Sequence, residues 1–127
     1  MDKKLHQRLN DHLALEFAAA HKYLAMSIWF EANDLLGFAG WLRQQSAEET
    51  DHANRIINHL MERDMHVQLP ALEQPPSEWP SALAAVEAVL ESEQTVTAAI
   101  NELYDLAEKS GDRATGIMLQ WFVNEQV

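Results

Sequence analysis

All four prolines of this sequence, Pro70, Pro75, Pro76 and Pro80, fall in one short window. Proline breaks helices and removes a backbone donor, so the cluster divides the chain into two halves whose interiors are free of it. Each half carries one further break. Asn33 and Asp34 favour a turn in the first, and Ser110-Gly111-Asp112 supplies a helix-ending glycine in the second. Four helical stretches are therefore expected, over 2–31, 36–65, 80–109 and 113–127, with Pro80 tolerated in a first turn. No segment alternates with the two-residue period of a strand. The two short connections make antiparallel hairpins, and the roughly fourteen residues between the second and third stretches can cross the length of a bundle. The expectation is an all-α four-helix bundle with one long crossover, forming a single domain over 1–127. The fourth stretch is about half the length of the others, which leaves apolar surface on its neighbours uncovered. On that ground the fourth helix reads as truncated, with the natural C-terminus further on.

Composition narrows the chemistry. The chain has no cysteine, which removes disulfide frameworks, zinc ribbons, iron–sulfur clusters and thiol catalysis. Twenty acidic residues stand against nine Lys and Arg, for a net charge of −11. Such a chain repels nucleic acid and attracts cations. Met1-Asp2-Lys3-Lys4 leads into an amphipathic pattern with no signal-like apolar run. No stretch has the roughly 18 apolar residues of a membrane span, and a cytoplasmic protein is expected.

The acids become informative through their position. Bundles bury residues spaced alternately three and four apart. The first stripe reads Leu9, Leu13, Glu16, Ala20, Tyr23, Ser27, Phe30. The second reads Phe38, Leu42, Gln45, Glu49, His52, Ile56, Leu60. The third reads Leu83, Val86, Leu90, Glu93, Thr97, Ile100, Tyr104, and the fourth Thr115, Leu119, Phe122, Gln126. Each is largely apolar at its ends and polar near its middle. An unpartnered buried carboxylate loses several kcal/mol of solvation, so three glutamates, a histidine and a glutamine on core stripes call for a compensating charge. At 1.5 Å per residue, Glu16 and Glu49 lie roughly 22 and 20 Å from the turn they share, and Glu93 and Gln126 roughly 24 and 20 Å from theirs. Glu49 and His52 are neighbours on one helix face. Glu-x-x-His joined by a glutamate from another helix is how bundles hold a pair of redox metals. Oxygen and imidazole ligands with open positions suit iron or manganese, whereas zinc has no redox chemistry.

With these residues in view, the sequence resembles the ferritin family over nearly its whole length. The resemblance is carried by Leu15-Glu16 with Tyr23, by Glu48-Glu49-Thr50-Asp51-His52, by Glu93-Gln94, and by Asn124-Glu125-Gln126-Val127. It implies a di-iron ferroxidase centre in which Glu16, Glu49 and His52 bind one iron, and Glu49 bridges to a second held also by Glu93. Gln126 would line the second site, Tyr23 would hydrogen-bond or donate an electron beside it, and Glu48 and Glu125 would be neighbouring acids able to hold a further iron. The implied function is iron storage and detoxification: two Fe(II) are oxidised by O₂ or peroxide, and the product is kept as ferric mineral inside a homo-oligomeric shell of 24 subunits. Haem-binding relatives place methionine after the bridging glutamate, where this chain has Thr50, so no haem is expected. Bacterial ferritins continue past Asn-Glu-Gln with more acids and a short fifth helix. Animal ferritins carry acids early in the fourth helix, where Gly116 and Leu119 stand here, so the resemblance assigns no route of iron uptake.

The remaining residues read as packing or surface. Trp29, Trp41, Trp79, Trp121, Met26, Met61, Met65 and Met118 are expected to fill core or interface. His6, His12, His21, His59 and His66 have no glutamate at matched depth on another helix and are expected at surfaces or interfaces. Two rival readings remain. A rubrerythrin-like di-iron peroxidase wants a second Glu-x-x-His, which is not visible. A metal-free helical interaction module requires Glu16, Glu49 and Glu93 to point outward.

Overall fold

The computed structural model describes residues 1–126. They form α1 (Lys3–Ala32), α2 (Leu36–Glu62), α3 (Ala82–Lys109) and α4 (Arg113–Glu125), with no strand among the described residues. The chain is an all-α four-helix bundle with a long α2–α3 crossover. Val127, the expected last residue of the fourth helix, lies outside the described residues.

Three helices end in the same way. After α1, α2 and α3 the chain turns through a left-handed residue: Asp34 at φ 61°, Asp64 at φ 54° and Gly111 at φ 71°. In each case the next amide reaches back five residues, as in Leu35 N–H to Phe30 O at 2.9 Å, Met65 to Leu60 at 2.9 Å and Asp112 to Ala107 at 3.0 Å. This motif satisfies carbonyls that a helix end leaves free. It explains why α2 stops at Glu62 rather than at residue 65. At the other ends, side chains cap the free amides. Asp2 accepts from Leu5 N–H, Ser81 from Ala84 N–H and Asp112 from Thr115 N–H, at 3.0, 3.1 and 3.1 Å. Because Ser81 is the cap, Pro80 precedes α3 instead of opening it.

Two apolar cores flank a polar middle. One joins Leu5, Leu9 and Leu13 of α1 to Ile56 and Leu60 of α2, Ile100 and Leu103 of α3, and Leu119 and Phe122 of α4. The other gathers Tyr23, Met26 and Phe30 with Ala39, Leu42, Ala85 and Val89. The stripes of α1 and α2 are buried as read, except that Phe38 is exposed and Gln45 is only half-buried. In α3 the N-terminal half is rotated from the expected stripe: Ala85 and Val89 are buried, whereas Leu83, Val86 and Leu90 are exposed. Ala85 and Val89 share their core with Tyr23, Met26 and Phe30 of α1 and with Ala39 and Leu42 of α2.

His59, expected at a surface or interface, is buried and pairs with Thr115 Oγ1 at 2.8 Å. Beside it, Arg63 donates to both oxygens of Asp112, at 2.9 and 3.1 Å. This cluster pins the end of α2 to the start of α4. We expect Asp112→Ala, which removes both the cap and the Arg63 partner, to lower unfolding free energy by about 1–2 kcal/mol. Denaturant unfolding followed by circular dichroism measures it, and an unchanged midpoint would contradict the pinning role.

Candidate metal centre

The polar middle of the bundle is built by α1 and α2. Spacings of three and four residues carry Glu16 of α1 and both Glu49 and His52 of α2 onto inward faces, where all three are buried. His52 Nδ1 lies 2.9 Å from Glu16 Oε2 and 3.2 Å from Glu49 Oε2. The three residues each offer one ligand atom within 4.8 Å of the others, and they are the one such cluster among the described residues. Both oxygens of Glu16, Oε2 of Glu49 and Nδ1 of His52 have no aligned hydrogen-bond partner in the protein. Buried polar atoms are rarely left so, and atoms that converge on one point suit a cation.

α3 supplies the next shell. Glu93 is half-buried and accepts a hydrogen bond from the Tyr23 hydroxyl at 2.8 Å. Gln126, just past α4, accepts from the Thr97 hydroxyl at 2.8 Å. Glu93, Gln126 and Glu125 line one open groove between α3 and the end of α4. Glu48 and Glu125 are solvent-exposed, so neither joins the buried trio. Aromatic side chains of α4 close one side: the rings of Trp121 and Phe122 meet His52 edge-on at 5.4 and 5.6 Å. The Arg55 guanidinium lies 3.7 Å over Trp121 and holds it there.

Electrostatics follow from burial. Desolvation raises the Glu49 carboxyl above its ordinary range, and Glu16 adds to the shift while His52 opposes it. Desolvation also raises Glu93, with Glu49 contributing. Burial works against charge on His52, but the carboxylates of Glu16 and Glu49 outweigh it and push His52 up to about 10. Without a metal, the His52 imidazolium is thus the cation between the two glutamates. Burial raises Tyr23 well beyond its ordinary value, which keeps the phenol protonated as a donor to Glu93.

The inward placement of Glu16 and Glu49 excludes the metal-free module, which needed them outside. One residue was missed by the sequence reading. His12, expected at a surface or interface, is buried one turn before Glu16, with Nε2 3.8 Å from Glu16 Oε1. The available signal was its spacing: Leu9, His12, Glu16 and Ala19 step by three, four and three along α1, and all four are buried.

Comparison with known proteins agrees with this geometry. Residues 6–127 match the family described as ferritin-like domain. The chain is 39% identical over 127 residues to the bacterial non-heme ferritin of Staphylococcus saprophyticus, covering all of this chain and 76% of that one. It is 37% identical to the bacterial non-heme ferritin of Campylobacter jejuni, covering 99% of this chain and 75% of the relative. Among solved structures, the open pore ferritin of the archaeon Archaeoglobus fulgidus superposes with a TM-score of 0.95 at 42% identity, covering 99% of this chain and 78% of that one. With this similarity along the whole chain and a buried Glu–Glu–His cluster in the middle of the bundle, the chain belongs to the ferritin family, among the bacterial non-haem ferritins.

Proposed function

We propose that Glu16, Glu49 and His52 take up the first Fe(II), that Glu49 also faces a second Fe(II) held by Glu93, and that Gln126 borders the second position. The chain is an iron-storage ferroxidase with a non-haem di-iron site. Iron is its substrate and cargo. The observation that carries the assignment is the set of buried, converging ligand atoms on Glu16, Glu49 and His52, none with an aligned hydrogen-bond partner. Two neighbouring Fe(II) together supply the two electrons that O₂ or peroxide accepts, so oxidation proceeds without release of a one-electron radical. The protein contributes geometry and charge.

Each residue has a separate task. Glu16 and Glu49 balance the charge of the incoming cations. His52 gives up its proton as it becomes a neutral nitrogen ligand. Tyr23 orients Glu93 through its 2.8 Å hydrogen bond. Trp121 and Phe122 keep bulk water from one side, which strengthens every charge interaction inside. Glu48 and Glu125 are both exposed and stand apart from the converging cluster of Glu16, Glu49 and His52. Among the described residues, no helix is long and apolar enough to cross a membrane. The family reading supports a homo-oligomeric mineral-storing shell, with 24 subunits and a cytoplasmic location as its specific form.

Three outcomes test this reading. Glu49→Ala should lose the fast phase of Fe(II) oxidation while the metal-free helices stay folded, because removing one of two buried like charges relieves repulsion. Stopped-flow absorbance after mixing anaerobic Fe(II)-loaded chain with air reads the rate, and normal kinetics in the variant would remove Glu49 from the site.

The second concerns pH. The folded-state pKa of His52, about 10, is above its ordinary 6.5. Its contribution to metal-free stability is therefore fully present below about pH 6.5 and lost as pH rises through about 10. Raised carboxyls at Glu49 and Glu93 act in the same direction, since each ionises less readily folded than unfolded. The melting temperature of the metal-free chain should fall across that window. Divalent-cation affinity should rise across it, as the cation replaces the His52 proton. Thermal melts with and without Zn(II) distinguish the two trends; the same pH dependence in both would contradict the site.

The third is the particle itself. Light scattering combined with iron analysis should find a shell of 24 chains carrying far more iron than two per chain. A monomer saturating at two would reject the storage shell.

A further inference from the structure

We propose that His12 is a positioning residue for the iron site: when metal binds, its Nε2–H, 3.8 Å from Glu16 Oε1 in the metal-free chain, closes onto that oxygen and fixes the carboxylate with the other oxygen, Oε2, turned toward the metal position. The inference rests on the assignment of Glu16 as an iron ligand.

The two oxygens of Glu16 face different partners. Oε2 lies 2.9 Å from His52 Nδ1 and belongs to the converging cluster, whereas Oε1 lies 3.8 Å from His12 Nε2. His12 is only 2% exposed, and neither of its ring nitrogens has a hydrogen-bond partner. Glu16 is fully buried, and neither of its oxygens has one. Two adjacent unsatisfied groups, a donor and an acceptor, are thus enclosed together. Both sit on one face of α1 a single turn apart, and a closure of about 0.8 Å completes the bond.

Nothing else competes for His12. It shares a groove between α1 and α3 with Arg8, Asp11 and Glu102, yet none of these reaches it. Arg8 and Glu102 instead pair with each other at 3.7 Å. Direct metal ligation by His12 is disfavoured by its direction, since the cluster of mutually close ligand atoms contains Glu16, Glu49 and His52 without it. A neutral imidazole carries one N–H, and a ligating carboxylate is commonly held by such an outer donor, whose loss weakens metal binding.

The test uses anaerobic Co(II) titration of the full chain, read by visible absorption, with thermal melts of the metal-free and Co(II)-loaded protein. H12L removes the donor at similar size. Its first Co(II) should bind about 10–100-fold more weakly, while its metal-free melting temperature stays close to that of the wild type, because at 3.8 Å no formed hydrogen bond is lost from the metal-free chain. H12Q, whose amide can donate, should restore wild-type affinity. H12M repeats the apolar test with a side chain that adapts to irregular space. Wild-type affinity in H12L and H12M would overturn the proposal, and so would an H12Q variant as weak as H12L. A wild-type chain that takes up no Co(II) would instead overturn the iron-site assignment, a result separable from loss confined to the His12 variants.

Discussion

The organising constraint of this molecule is the burial of Glu16 and Glu49 against each other in the middle of a helical bundle. Two carboxylates out of water repel and lose solvation, and neither cost is recovered by packing. A cation between them is the condition for both being ionised. In the metal-free chain that cation is the His52 imidazolium, and under working conditions it is iron. The site is consequently poised between two occupants of like sign. On the ligand assignment proposed above, the proton on His52 occupies the place of the cation in the metal-free chain and is given up when metal binds. Oxidation then raises the positive charge at the centre, which the same carboxylates accommodate.

The two apolar cores serve this centre by holding the helices at a fixed separation on either side of it. Leu9 and Leu13 lie before Glu16 in the first core, and Met26 and Phe30 lie after it in the second. The helix ends contribute at long range. The Arg63–Asp112 pair with its Thr115 cap fixes where α4 begins, and that start sets the level at which Phe122 and Trp121 meet His52. A shift of one residue along α4 would rotate those rings by about 100° and open the site to water. Local capping chemistry thus reaches the metal position through helix register.

Most of the fold could be read from spacing because long helices average over local noise. In α1, every residue of the expected stripe from Leu9 to Phe30 is buried. The reading failed where burial depends on which neighbour is present. Along α3, both Leu83-Val86-Leu90 and Ala85-Val89 fit helical spacing, and the expected stripe runs through the first. Among the described residues the smaller pair faces the core and the larger residues face solvent. The site was legible for a related reason: acids on an apolar stripe stand out, and their matched depths follow from the fixed rise of a helix. His12 and His59 were not, because partners were sought across the bundle. His12's neighbour lies one turn along its own helix, and His59 meets a threonine, not an acid.

The second metal position proposed above differs in its surroundings from the first. Glu16, Glu49 and His52 are enclosed, while Glu93 is half-buried and borders an open groove with Gln126 and Glu125. Tyr23 and Thr97 hold Glu93 and Gln126 by neutral hydrogen bonds, which fix direction without adding charge. The first position therefore has charge and enclosure, which favour retention. The second has oriented oxygens at an opening, which favour exchange. An iron-storing protein needs both properties, since product has to leave the place of oxidation for the mineral while the next Fe(II) is captured. Exchange at the groove side, next to the exposed acid Glu125, follows from the same gradient of burial that makes the inner trio bind tightly.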